Sequence, residues 1–314
     1  MTQKHISVLL NESIGLLNIK SEGIYVDCTL GRAGHSVEIL KKLDKGHLYA
    51  IDQDLEAIKE SEKKLNEVSS NFTILEGNFA DIKAMLAIQG VKKVDGILYD
   101  LGVSSPQFDE GSRGFSYRFD ATLDMRMDVN NNTLTAKKIV NNYDEKQLAN
   151  IFFKYGDEKF SFAIAKNIIK AREVKEIDST FELVDIIKKS LPQKVLKQKK
   201  HPAKKVFQAL RVYVNNELEV LKKSLIQSLE LLQKDGHLVV ITFQSHEEKI
   251  IKDLFKAKTT NEQDKFLSKL PIAGLETKKE FELVIKKPVL PSEEELEYNR
   301  RSHSAKLWAI KKVG

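Results

Sequence analysis

Ile24-Tyr25-Val26-Asp27-Cys28-Thr29-Leu30-Gly31-Arg32-Ala33-Gly34-His35-Ser36 passes from an apolar run through a glycine-bearing turn into the start of a helical stretch. β-Branched and aromatic residues in a short run favour an extended strand. Glycines in the turn let the backbone approach a ligand closely, and a helix start offers free N–H groups. His47-Leu48-Tyr49-Ala50-Ile51-Asp52, Phe72-Thr73-Ile74-Leu75-Glu76 and Gly96-Ile97-Leu98-Tyr99-Asp100 repeat the strand pattern. Between them, Ser36 to Leu43, Leu55 to Leu65 and Ile82 to Ile88 place apolar residues at helical spacing. Such a series predicts an α/β, Rossmann-like fold with a mainly parallel sheet, whose ligands lie beyond the carboxyl ends of the strands.

After Pro106 the pattern becomes turn-rich, then helical from about Leu134 to Leu191, which reads as an inserted helical subdomain. Pro202 is expected to start a long helix running to about Gln233. His237-Leu238-Val239-Val240-Ile241-Thr242-Phe243 returns to the sheet, and Phe281 to Lys286 and Lys306 to Ile310 are candidates for its last strands. The expected organisation is 1–108 as the first part of the main domain, 109–205 as the insertion and 206–314 as the second part.

At 314 residues, with 41% hydrophobic and 31% charged residues, the chain can bury its own core and offers no membrane span. The apolar stretch at its start is too short for a secretory leader, so a cytoplasmic location is expected. The single cysteine, Cys28, reads as a small core residue. A formal charge of +6 fits a polyanionic partner. Residues 193–205 hold six lysines and no acid, either a phosphate-attracting surface or a solvated loop.

The turn after the first strand lacks the G-x-G-x-x-G spacing of a dinucleotide site and the G-K-[ST] ending of a phosphate loop, which disfavours a dehydrogenase and ATP chemistry. Asp52 ends the second strand where α/β folds place a carboxylate on ribose hydroxyls. Its other reading is a helix N-cap, a role open to Asp54 as well. Phe79 reads as a cover for an adenine face or as core. The fourth strand runs into Asp100-Leu101-Gly102-Val103-Ser104-Ser105-Pro106-Gln107. A carboxylate and an amide here could accept N–H bonds from an exocyclic amine and so align it for attack on a methyl group. Ser104 to Gln107 is also loosely similar to the Ser/Asp/Asn-Pro-Pro-aromatic turn of amino methyltransferases acting on DNA.

Taken in order, the motifs resemble the small-subunit ribosomal RNA cytosine-N4 methyltransferase family, the MraW-type or methyltransferase H family. They are His5 to Glu12, Thr29 to Ser36, Asp100 to Gln107, Arg113-Gly114-Phe115-Ser116, Leu123 to Asp128, Tyr155-Gly156-Asp157-Glu158, His201-Pro202-Ala203, Phe207 to Arg211 and Val214 to Leu218. The resemblance implies a class I methyltransferase with a helical insertion and S-adenosyl-L-methionine as cofactor. It implies that Ala33, Gly34, His35, Asp52 and Phe79 contact the cofactor, and that Asp100 and Gln107 are the catalytic pair at its reacting end. The implied substrate is a decoding-centre (P-site) cytidine of 16S rRNA within the small ribosomal subunit, with a homodimer possible and no metal assigned. Arg113, Arg118, Arg126, Lys199, Lys200, Lys204 and Lys205 are candidate RNA contacts, and Phe115, Tyr117 and Phe119 candidate stacking or packing residues. This chain has Ala33 where the family carries glycine, and Gln244-Ser245-His246-Glu247-Glu248 where the family has His-Ser-Leu-Glu-Asp. The alternative of another class is a non-catalytic RNA-binding assembly factor on the same fold.

Overall fold

A computed structural model describes residues 6–101, 113–260, 279–299 and 301–314. The chain divides into two compact units, Met1–Gly102 with Glu219–Gly314, and Val103–Leu218.

The first unit opens with α1 (Leu10–Leu17), then alternates β1 (Ile24–Asp27), α2 (Gly34–Leu40), β2 (His47–Asp52), α3 (Leu55–Asn66), β3 (Phe72–Glu76), α4 (Ile82–Ile88) and β4 (Val94–Asp100). The strand–helix series is as its periodicity predicts, and α1 is a further helix that begins within the first motif. The second unit holds α5 (Ala136–Asn142), α6 (Glu145–Gly156), α7 (Ser161–Arg172), α8 (Thr180–Lys189), the short α9 (Gln193–Leu196) and α10 (Lys204–Val214). α11 (Glu217–Leu231) leads into β5 (Leu232–Thr242), followed by α12 (Ser245–Thr259), β6 (Phe281–Leu283), α13 (Glu293–Tyr298) and β7 (Lys306–Lys312).

The seven strands lie in the order β3-β2-β1-β4-β5-β7-β6, parallel except where β7 runs antiparallel to β5 and β6. Strand order reverses between β1 and β4, and the carboxyl ends of the strands at such a reversal are the usual ligand position in an open α/β sheet. The sheet is covered on both faces. Val26, Ile97, Tyr99 and Val240 pack on one side, and Tyr25, Leu98, Val239 and Ile241 on the other, as the two-residue period of a strand requires. At about 1.5–3 kcal/mol per fully buried large apolar side chain, these two layers dominate the stability of the unit.

The expected long helix from Pro202 to Gln233 is two helices. α10 starts after Ala203, and the chain turns at Asn216, held at φ 49°, before α11 begins. α10 belongs with the helical insertion, because Val206, Phe207, Ala209 and Leu210 lie in one core with Leu148, Phe152, Ile164 and Leu183. The insertion therefore runs beyond residue 205, to Leu218. Of the late strands, β6 is shorter than Phe281 to Lys286 and β7 extends past Ile310 to Lys312. Glu282 and Leu283 are exposed at the sheet edge, whereas Leu307 to Ile310 are buried.

Motifs of the insertion hold one another. The Arg113 guanidinium donates to the carbonyls of Arg126 (2.8 Å) and Met127 (2.9 Å). The Asn215 amide donates to the Met125 carbonyl and accepts the Met127 N–H. Gly156 lets α6 meet α10, since a Cβ there would stand 2.4 Å from the Lys205 carbonyl oxygen.

Candidate active site

Three acids mark the carboxyl ends of adjacent strands: Asp52 on β2, Asp27 on β1 and Asp100 on β4. Asp27, which sequence reasoning passed over, is buried. Its carboxylate accepts from the Thr29 N–H (3.0 Å), the Thr29 hydroxyl (3.3 Å) and the Ser36 hydroxyl (2.7 Å), and so shapes the glycine turn. Its signal was available, since it ends its strand as Asp52 and Asp100 end theirs. Thr29 Oγ1 also accepts the backbone N–H of Asp100 at 2.7 Å, tying the turn after β1 to the end of β4.

The turn itself is tight. Gly31 lies at φ +49°, and Ala33, fully buried, at φ 62° and ψ 20°, the left-handed region that favours glycine. Gly34 opens α2, and a Cβ there would lie 1.8 Å from the Ser7 hydroxyl, so the N-terminal segment excludes any side chain. α3 braces the turn from outside: the Ser61 hydroxyl donates to the Gly31 carbonyl at 2.8 Å and the Lys64 ammonium to that of Arg32 at 3.3 Å.

Asp52 Oδ2 accepts the Gly31 N–H at 2.9 Å and Oδ1 the Asp54 N–H at 3.0 Å. Burial pushes its carboxyl up to about 6, against the pull of these N–H donors. Asp54 caps α3 by accepting from Glu56 N, so capping does not occupy Asp52. Phe79 sits half-buried after β3 with its ring edge-on to Tyr99, centroids 5.5 Å apart. The Tyr99 hydroxyl bonds Ser224 and Ser228, and the Ser224 hydroxyl donates to the Phe79 carbonyl. Cys28 is buried beside Tyr99, and burial raises its thiol well above the usual range, as suits a core residue.

His35 is buried, with Nε2 3.2 Å from the Val8 carbonyl oxygen and Nδ1 3.8 Å from Asp100 Oδ2. Thus Ala33, Gly34, His35, Asp52, Phe79 and Asp100 all belong to the sheet unit, and β1's turn joins Asp52 on one flank to Asp100 on the other. Gln107 lies outside the described residues.

The candidate RNA contacts separate into two kinds. Arg126 is a brace: its Nε and Nη2 form a two-pronged pair with Asp124, each at 2.7 Å, while Nη1 donates to the carbonyls of Val129 and Asn132. Arg113 is likewise turned to backbone carbonyls. Arg118, Lys199, Lys200, Lys204 and Lys205 are exposed, as are the other lysines of the run, Lys194 and Lys197. Lys205 donates to the Asp157 carbonyl at 2.6 Å. Phe115 is buried, Tyr117 stacks on His201 at 4.2 Å, and Phe119 is exposed. Burial, then the charges of Lys188 and Arg118, lower the His201 imidazole from its ordinary value. Gln244 caps α12 in a reciprocal bond with Glu247, and His246 lies in that helix's first turn. Among the described residues no helix is long and apolar enough to cross a membrane.

These residues fit a nucleoside cofactor. The Asp52 carboxylate has more lone pairs than backbone N–H donors and so can still accept from a hydroxyl, and Gly31 leaves the turn without a side chain beside it. The model of the MraW methylase family matches residues 2–313. A "Ribosomal RNA small subunit methyltransferase H" of Mesoplasma florum is 63% identical over 310 residues, covering 99% of both chains. The protein of that name from Mycoplasma mycoides subsp. mycoides SC is 61% identical over 311 residues, covering 98% of this chain and 99% of its own. With its sheet order, its strand-end acids and a match from end to end, the chain belongs to the MraW methylase family, whose methyl donor is S-adenosylmethionine.

Proposed function

We propose that this protein methylates the N4 amino group of a decoding-centre cytidine, at the P site, in 16S rRNA of the small ribosomal subunit. The observation that supports it most is the placement of Asp100 at the β4 end where strand order reverses, its backbone fixed by Thr29 and its carboxylate backed by His35. The full-length likeness to proteins named for small-subunit rRNA methylation supports the choice of substrate.

S-adenosylmethionine, when bound, supplies a methyl group on a cationic sulfur that a weak nucleophile can take. The backbone of Ala33, Gly34 and His35 would hold its amino-acid end, Asp52 its ribose hydroxyls and Phe79 its adenine. Asp100 accepts an N–H bond from the acceptor amine, which orients its lone pair and concentrates charge on nitrogen. Gln107 is assigned to the same end. No covalent bond to the enzyme is needed, and Cys28 is buried in the core away from solvent. Arg118 and the lysines between 194 and 205 supply phosphate contacts, which set affinity and position without reading sequence.

Methylation of purified small subunits by the wild-type chain and by Asp100→Ala, read by mass spectrometry of the RNA, tests this. One methyl group on N4 of a single cytidine is expected from the wild type and none from the variant. Unchanged methylation by the variant, or a methyl group elsewhere, overturns the assignment.

A further inference from the structure

We propose that His35 is the residue behind Asp100 that receives the proton shed by the acceptor amine, by way of the Asp100 carboxylate. This rests on the reading that Asp100 faces an amine. The imidazole is 5% exposed, and Nε2 points at the Val8 carbonyl, an atom that can only accept, so Nε2 carries hydrogen. Nδ1 is then directed at Asp100 Oδ2. At 3.8 Å the two atoms stand beyond hydrogen-bond reach, as expected of a bare ring nitrogen facing a carboxylate oxygen.

The ring is held there by the N-terminal segment. The Asn299 amide donates to the Ile6 carbonyl at 3.3 Å and the Leu9 N–H to Glu295 Oε1 at 3.1 Å, which fixes Val8 between them. Other carboxylates near the turn are engaged elsewhere. Asp27 of β1 accepts from Thr29 and Ser36, Asp52 of β2 from Gly31 and Asp54, and Glu60 of α3 pairs with Arg32 at 3.7 Å. Glu295 of α13 is on Leu9. Among the described residues Asp100 is the carboxylate that pairs with His35.

A nitrogen that has formed a bond to a methyl carbon is cationic and sheds one proton, the N–H bond breaking with its electrons left on nitrogen. The Asp100 carboxylate takes that proton and passes it from Oδ2 to Nδ1 of His35. The result is an imidazolium still bonded to Val8 through Nε2 and a carboxylate again ionised. No electrons change hands. The proton leaves to water through Asp100, whose side chain is 22% exposed. His35 is thus a positioning and proton-holding residue that acts through Asp100.

The test uses the full chain with His35→Ala and His35→Asn, alone and combined with Asp100→Asn. With His35→Ala, kcat should fall about a hundredfold while the cofactor Kd changes less than about twofold. Added imidazole should restore part of kcat. A double variant should be no slower than Asp100→Asn alone, because the two residues form one path. Nitrogen NMR of the protein without cofactor or RNA gives a separate readout: Asp100→Asn should move the Nδ1 resonance of His35. If the alanine variant fails to fold by circular dichroism, the asparagine variant takes its place. The inference is overturned by a cofactor Kd that rises in step with the loss of kcat, by losses that multiply in the double variant, or by an unmoved Nδ1 resonance. A wild-type chain that methylates a ring carbon would instead overturn the proposed function.

Discussion

The Gly31 backbone N–H donates to Asp52 Oδ2 at 2.9 Å, so the acid ending β2 holds the turn that follows β1. One carboxylate thereby shapes the turn and faces the position proposed for the ribose.

Because burial raises Asp52 to about 6, its charge changes around that pH. Ribose hydroxyls donate best to the ionised form, so cofactor affinity should climb as pH rises through about 6 and level off above 7. Stability without cofactor has the opposite sign. A folded value above the ordinary carboxylate value means that the contribution of Asp52 is present at low pH and lost as pH rises through about 6. Calorimetric titration between pH 5 and 8 with wild type and Asp52→Asn checks this; a slope that persists in the variant assigns the titration to another group.

Ala33 occupies a left-handed conformation at φ 62° with no solvent exposure. Glycine would relieve about 1–2 kcal/mol of backbone strain, offset by about 0.4–1 kcal/mol from the freer unfolded chain. Ala33→Gly should therefore stabilise the protein by up to about 1.6 kcal/mol in urea unfolding, and Ala33→Val should destabilise it. A less stable glycine variant would show that the strain is not real.

Lys197, Lys199, Lys200 and Lys204 are exposed and form no ion pair among the described residues. Replacing all four with glutamine should weaken binding to small-subunit RNA and reduce the slope of log affinity against log salt by about one for each phosphate contact removed. The thermal midpoint should stay unchanged, since these side chains leave the helical core untouched. An unaltered salt slope would return the run to a solvated loop.

The insertion shows how reading by local pattern reaches its limit. Helical spacing from Pro202 onward is continuous, and it is Asn216 in a left-handed turn that separates α10 from α11. Asparagine tolerates that conformation but does not demand it, so the break depends on what Asn215 bonds to on either side. Arg113 and Arg126 were equally open to phosphate contact or structure in the sequence. Their partners are carbonyls and Asp124, brought together by the fold of a loop with no periodicity to read.

What the sequence determined by itself is the strand–helix alternation of the first hundred residues, the return to sheet after the insertion and the acids that end the strands. Each of these is a property of neighbouring residues and of periods of two and 3.6. Only the tertiary structure decided which of those residues meet. Asp52 reaches a turn 21 residues earlier and Asp100 reaches Thr29 across 71, because β1 lies between β2 and β4. Strand order is set by how the apolar faces of the whole sheet are covered, and no local stretch of sequence contains it.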